Sequence, residues 1–183
     1  MGFELGRRRG KHWDDIKIID ELVRNARFNL TAKTEREFEL AFANLLFSRE
    51  NVLNGKIYSQ IDQETIVKSV YCFGKKHRPD LTLGEDGVAI EIKYLNDNLD
   101  GVKLALGQSL MYRLRYKFVV NLLIVAEKNK ETYYKAINEE EKDLSDILKY
   151  LSEDMNIFTY IVPSFTLEPG KKRVYDANNI KDE

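Results

Sequence analysis

Cysteine and histidine are scarce in this chain, with one Cys and two His among 183 residues. The lone Cys72 excludes an intramolecular disulfide and fits a reducing cytoplasm; in Val70-Tyr71-Cys72-Phe73 it reads as a strand core residue. No glycine-rich phosphate loop is present. No apolar run approaches the roughly 18 residues of a membrane span, and the basic start of the chain lacks an apolar core segment, so neither secretion nor membrane insertion is expected. Charge of one sign is also missing: the formal net charge is -1, which excludes a uniformly basic DNA-coating protein. Repeats, low-complexity segments and interdomain linkers are absent. What is present, 43% hydrophobic and 32% charged residues over 183, suits one soluble, cytoplasmic domain able to bury a core.

Chemistry concentrates in His77-Arg78-Pro79-Asp80 and, after a short gap, Ala89-Ile90-Glu91-Ile92-Lys93. The second segment alternates. Val88, Ile90, Ile92 and Tyr94 fall on one strand face and Ala89, Glu91 and Lys93 on the other, which sets Glu91 and Lys93 on the same side about 6–7 Å apart. Asp80 heads the run Leu81-Thr82-Leu83, and Gly84-Glu85-Asp86-Gly87 supplies a tight reversal. The resulting hairpin brings Asp80 across from the Glu91–Lys93 end. Two carboxylates and an ammonium then converge, a hard-oxygen arrangement suited to Mg²⁺ or Mn²⁺ beside a phosphate. Such an ion lowers the pKa of bound water and offsets transition-state charge. Lys93 can orient or deprotonate that water, or hold the phosphate. The plainer reading is an exposed hairpin face carrying an ordinary Glu–Lys pair.

Pro79-Asp80 followed by Glu91-Ile92-Lys93 resembles the signature of the PD-(D/E)XK nuclease superfamily, the restriction-endonuclease-like fold. Upstream, Phe38, Ala41, Phe42, Leu45 and Leu46 form an apolar stripe at helical spacing, with Thr34 as N-cap and Glu37 at the reciprocal capping-box position. At 100° per residue Glu35 projects near that stripe, Glu39 at its edge and Glu37 away from it. Members of the superfamily often carry a glutamate on this helix that reaches the metal, and archaeal Holliday-junction resolvases begin with a similar Glu-Arg-Glu. The resemblance therefore implies Glu35 as a further acidic group; a solvated helix start enriched in acids is the plainer account. It also implies the Ile92 carbonyl as a further metal ligand.

Residues 101–117 read as a helix, with Leu104, Gly107, Met111, Leu114 and Phe118 as a narrow apolar seam and Gln108, Tyr112 and Arg115 beside it. Gln108 and Tyr112 resemble the Gln-x-x-x-Tyr motif of recombination exonucleases. That likeness implies that Gln108 fixes a phosphate or water and that Tyr112 contacts the DNA backbone or stacks on a base. Against this, a five-residue pattern on the polar edge of a helix is common by chance.

Basic clusters are local: Arg7-Arg8-Arg9 with Lys11 and His12, Lys75-Lys76-His77-Arg78, Arg113 with Arg115 and Lys117, and Lys171-Lys172-Arg173; acids gather at Glu139-Glu140-Glu141. A basic rim around an acidic pocket suits a phosphodiester. Lys75, Lys76, Arg78, Tyr112 and Arg115 are the expected DNA contacts, while the terminal basic runs read as disordered or solubilising tails.

The expected order is a helix over residues 13–28, a helix over 34–47, strands over 52–60 and 65–73, and the 80–94 hairpin. After the 101–117 helix come a doubly buried strand over 118–126, one helix over 130–151, a strand over 157–162 and a loop-like tail from 168. This is an α/β chain with a mixed central sheet flanked by helices and a restriction-endonuclease-like core in α-β-β-β-α-β order over residues 34–126. Residues 13–28 are then an N-terminal helical extension, and 130–162 a C-terminal helix and strand. The function expected is a metal-dependent deoxyribonuclease. Asp80, Glu91, Ile92 and Glu35 hold the metal, Lys93 and Gln108 assist, DNA is the partner, and no organic cofactor is involved. A homodimer is open, since junction and duplex cutters of this kind commonly pair. The rivals are a non-catalytic DNA-binding module on the same fold and an α/β interaction protein whose hairpin merely displays Glu and Lys.

Overall fold

The computed structural model describes residues 8–26, 32–60, 67–72, 74–96, 100–138 and 140–180. Helix α1 spans Lys11–Asn25 and α2 spans Glu35–Phe47. Strands β1 (Ile57–Ser59), β2 (Val70–Cys72), β3 (Lys75–His77), β4 (Leu81–Leu83) and β5 (Val88–Leu95) follow, then α3 (Asp100–Tyr112) and β6 (Phe118–Val125). Helices α4 (Lys130–Ile137) and α5 (Lys142–Met155) lead to β7 (Ile157–Pro163). Five strands form a mixed sheet in the order β1-β4-β5-β6-β7, antiparallel on the β1 side and parallel from β5 to β7. The α/β class with a mixed, helix-flanked sheet is as expected.

Helices α1 and α2 cover one face, where Trp13, Ile16, Phe38, Phe42 and Leu46 pack on Val88, Ile90, Ile92, Phe118 and Phe158. Each fully buried side chain of this size contributes about 1.5–3 kcal/mol. Helices α3, α4 and α5 cover the other face. Thr34 caps α2 as anticipated: its side chain accepts from Glu37 N at 3.3 Å while Glu37 Oε2 accepts from Thr34 N at 3.0 Å. Every residue of β6 is buried, as its continuous apolar run requires. The β4–β5 turn closes over α1. Gly84 has φ +72, and any side chain at Gly87 would sit 2.4 Å from the His12 ring, so glycine is required for that approach.

Several boundaries differ. The strand expected over 52–60 reduces to Ile57–Ser59, because residues 49–55 turn out of α2 and leave Val52 exposed. The 65–73 strand reduces to Val70–Cys72. It pairs with β3, formed by the basic cluster itself, in a separate two-stranded ribbon. Cys72 is half-buried there and is not a core residue. The helix expected over 130–151 is two helices, since Asn138 ends α4 and α5 restarts at Lys142. Helix α3 stops at Tyr112, and Phe118 belongs to β6. Its apolar seam faces outward: Leu104 and Leu114 are more than half exposed, while Ala105, Ser109 and Tyr112 face the sheet. Small Ala105 and Ser109 let the helix lie close.

The N-terminal basic run is not a solubilising tail at Arg8. Its guanidinium lies over Trp13 and Phe158 and donates to the carbonyls of Ser152 (2.5 Å) and Asn179 (2.6 Å), satisfying an orphan carbonyl at the end of α5. The tail from 168 is loop-like as expected, yet Tyr175 bridges Ile161 and covers the open edge of β7. Expectations touching Arg7, Phe28, Thr65, Phe73 and Glu139 lie outside the described residues. Among the described residues no helix is long and apolar enough to cross a membrane.

Candidate active site

The hairpin register pairs Leu81 with Ile90, so one step further Asp80 stands opposite Glu91. Strand β4 ends there, leaving the next N–H groups of β5 on that side without a strand to receive them. Carboxylates take the vacant places. Ile92 N donates to Asp80 Oδ2 at 2.7 Å, and Tyr94 N donates to Glu35 Oε2 at 3.1 Å. Thus the head of the short strand delivers Asp80 and the N-terminus of α2 delivers Glu35 to the same edge of β5.

Glu91 is 1% exposed. Its Oε1 pairs with Lys93 Nζ at 2.7 Å, and its Oε2 lies 2.9 Å from the Tyr112 hydroxyl. The same hydroxyl lies 2.9 Å from the Arg78 carbonyl, so one proton is shared between two acceptors. Lys93 Nζ also meets Glu35 Oε1 at 3.1 Å and the Ile92 carbonyl at 3.2 Å, which uses its three donors. A cleft of about 650 Å³ opens beside this group, lined in part by Lys33, Glu35, Lys93, Tyr94, Gly101 and Leu104.

Charge is unbalanced here. Burial and then the neighbouring Glu91 push the Asp80 carboxyl well above the usual aspartate range. Burial also raises Glu91, against the opposing pull of Lys93. Lys93 is disfavoured as a cation by burial, but Glu91, Asp80 and Glu35 more than restore it and hold its proton firmly. Glu39, one turn beyond Glu35, is raised by burial and then by Glu35. Its i, i+4 spacing from Glu35 is the sequence signal for Glu39, which sits at the edge of the apolar stripe of α2.

The donor set fits a hard divalent cation. Asp80, Glu91 and the Ile92 carbonyl offer oxygen ligands, and the mutual penalty of the two acids marks a place short of positive charge. Among the described residues no group of three or more His, Cys, Asp or Glu stands ready as a metal cluster. An ion here would complete its shell with water and phosphate, as Mg²⁺ commonly does. Glu35 joins the site through Lys93 and the Tyr94 amide.

No protein-family model, curated protein or solved structure matches this chain.

Of the remaining expected residues, Gln108 lies beside Tyr112, its Nε2 3.4 Å from the hydroxyl, and its buried Oε1 finds no hydrogen-bond partner among the described residues. Tyr112 requires correction as a DNA contact. The residue is 0% exposed, so no base can stack on it; what it touches is Glu91 and the Arg78 carbonyl. Lys75, Lys76 and Arg78 are exposed on and just after β3, and Arg115 is exposed with its Nε reaching the Glu85 carbonyl on the hairpin turn.

Proposed function

We propose that this chain is a metal-dependent deoxyribonuclease built on a restriction-endonuclease-like core of the PD-(D/E)XK kind. The observation that carries the reading is the convergence, on one β-edge beside an open cleft, of half-buried Asp80 and buried Glu91 with Lys93 bound between Glu91 and Glu35. The order of α2, hairpin, α3 and β6 supports the core assignment. The exposed cations Lys75, Lys76, Arg78 and Arg115 supply the rim a polyanion needs.

Asp80, Glu91 and the Ile92 carbonyl would hold Mg²⁺ or Mn²⁺, with Glu35 joining once Lys93 releases it. A bound ion supplies an acidified water and compensates phosphate charge. Lys93, whose proton three acceptors hold, orients the water or grips a phosphate oxygen; it is a donor and not a base. Tyr112 fixes the rotamer of Glu91, and Gln108 supports Tyr112.

One observation favours a second reading. Lys93 Nζ already neutralises Glu91, and no three-acid group is assembled among the described residues, as a non-catalytic DNA-binding module would allow. Cleavage of linear, single-stranded, flapped and four-way DNA in Mg²⁺ or Mn²⁺ separates the two. The nuclease cuts at least one substrate, and Asp80→Ala and Glu91→Ala lose about a thousandfold or more with the fold retained. A protein that binds DNA equally with and without Mg²⁺ and cuts none is the binding module.

A further inference from the structure

The β2–β3 ribbon stands apart from the central sheet and carries an exposed aromatic residue that has no part in the acid–lysine site. Tyr71 is 70% exposed, the most exposed of the large hydrophobic side chains among the described residues. Strand alternation explains why. Val70 is buried in the cluster that holds Tyr112 and Tyr116 on the α3 side, so Tyr71 points away from it. The register pairs Val70 with His77 and Tyr71 with Lys76, which sets Ser69 beside Arg78. The outward face therefore presents Tyr71, Lys76 and Arg78 together. Arg78 Nε donates to Ser69 Oγ at 2.9 Å, which orients the guanidinium along that face.

The ribbon is fastened to the candidate site. The Arg78 carbonyl is held by Tyr112 and by Gln60 Nε2 (3.0 Å), and the Lys68 carbonyl by the Tyr116 hydroxyl (2.8 Å). Lys76 precedes Asp80 by four residues, a reach of at most about 14 Å in extended chain. The backbone of this face at Lys76 therefore lies within about 14 Å of Asp80.

An aromatic ring with two cations on a narrow ribbon fits a polyanion with accessible base faces. A ribbon that reads duplex offers polar groups to base edges in the major groove; a tyrosine flanked by Lys and Arg offers a stacking surface with phosphate partners, the combination used on single strands. Resting on the nuclease reading, we propose that the outward face of β2–β3 docks single-stranded DNA, with Tyr71 stacked on an unpaired base and Lys76 and Arg78 on its phosphates. The substrate class is then DNA carrying unpaired bases beside the cut, not continuous duplex.

The test uses the full chain in EDTA with fluorescein-labelled single-stranded, forked and blunt-duplex oligonucleotides. Wild type binds the first two at least about tenfold tighter than blunt duplex. Tyr71→Ala weakens single-strand binding at least about fivefold, the low end for loss of one stacked base, and leaves duplex binding unchanged; Tyr71→Phe binds as wild type. Tyr71→Trp shows fluorescence quenching on single-strand binding, the signature of a stacked ring. Lys76→Ala lowers the salt slope by about one contact. Tyr71 is exposed, so these variants keep the fold. Unchanged single-strand affinity in Tyr71→Ala, or an equal loss on duplex, overturns the docking strip. Repeating the series in Mg²⁺ separates the two claims. Tyr71-dependent binding without any cleavage keeps the strip and removes the nuclease, whereas cleavage of forks that is indifferent to Tyr71→Ala keeps the nuclease and removes the strip.

Discussion

Two buried polar groups sit side by side in the same row of the sheet, and they are built on opposite principles. Glu91 of β5 pairs in register with Asn121 of β6, and Asn121 with Thr159 of β7. At Asn121 the groups are neutral and satisfy one another. Ser109 Oγ lies 2.6 Å from Asn121 Oδ1, Asn121 Nδ2 donates to Thr159 Oγ1 at 3.2 Å, and Thr159 N donates to Asn178 Oδ1 at 3.1 Å. One strand over, Glu91 and Asp80 penalise each other, one lysine serves two glutamates, and a glutamine oxygen is left without a partner among the described residues. A neutral, closed network is what stability selects. An open, charged one costs stability and marks a place prepared for something else.

The largest expected effect breaks the charged group while preserving its shape. Glu91→Gln keeps a hydrogen bond to Tyr112 but loses the charge, and cleavage of a substrate cut by wild type should fall by about a thousandfold, several kcal/mol of transition-state stabilisation. Asn121→Ala, by contrast, should leave the cleavage rate within about twofold well below the melting temperature, measured on the same substrate.

Next in size is a difference in pH dependence. In the metal-free protein Asp80 titrates above the ordinary 3.8 of an unfolded aspartate. The folded chain holds a proton that the unfolded chain has released, so this contribution is full below about pH 4 and is lost as pH rises through neutrality. Asp80→Asn, which can still accept from Ile92 N, should match wild type in stability near pH 4. It should exceed wild type by ~1–3 kcal/mol near pH 8 in EDTA, read from denaturant melts, and Mg²⁺ should shrink the gap by stabilising wild type alone. A constant difference across pH contradicts the charge imbalance.

Asn121→Ala in the same melts should cost about 1–3 kcal/mol at every pH, because it strands neutral partners. The smallest effect belongs to α3: Leu104→Ser should change stability by less than about 0.5 kcal/mol, since the residue is more than half exposed.

Legibility in the sequence followed the same division. Alternation from Val88 to Tyr94, the Gly84–Gly87 turn and the Thr34–Glu37 cap are local rules, and the hairpin and α2 obey them. Helix α3 was legible as a helix, but its buried face was not, because the apolar seam of Leu104 and Leu114 faces outward. Its inner face is Ala105, Ser109 and Tyr112, chosen to fit the polar row beneath, and Asn121 within an otherwise apolar run was the overlooked sign of that row. Strand β3 escaped because Lys75-Lys76-His77 has no strand-like pattern of its own and is formed by pairing with β2. That Lys93 bridges Glu91 and Glu35 depends on bringing together residues 58 positions apart, which no local pattern encodes.

The acids on β5 have one more consequence. By receiving the Ile92 and Tyr94 amides they occupy the donor row where β4 ends, and a bare row of that kind is a template for another strand. Asp80 and Glu35 are therefore gatekeepers against self-association as well as candidate ligands. Removing both at once exposes a short adhesive edge on a chain whose net charge, -1, offers little repulsion between copies.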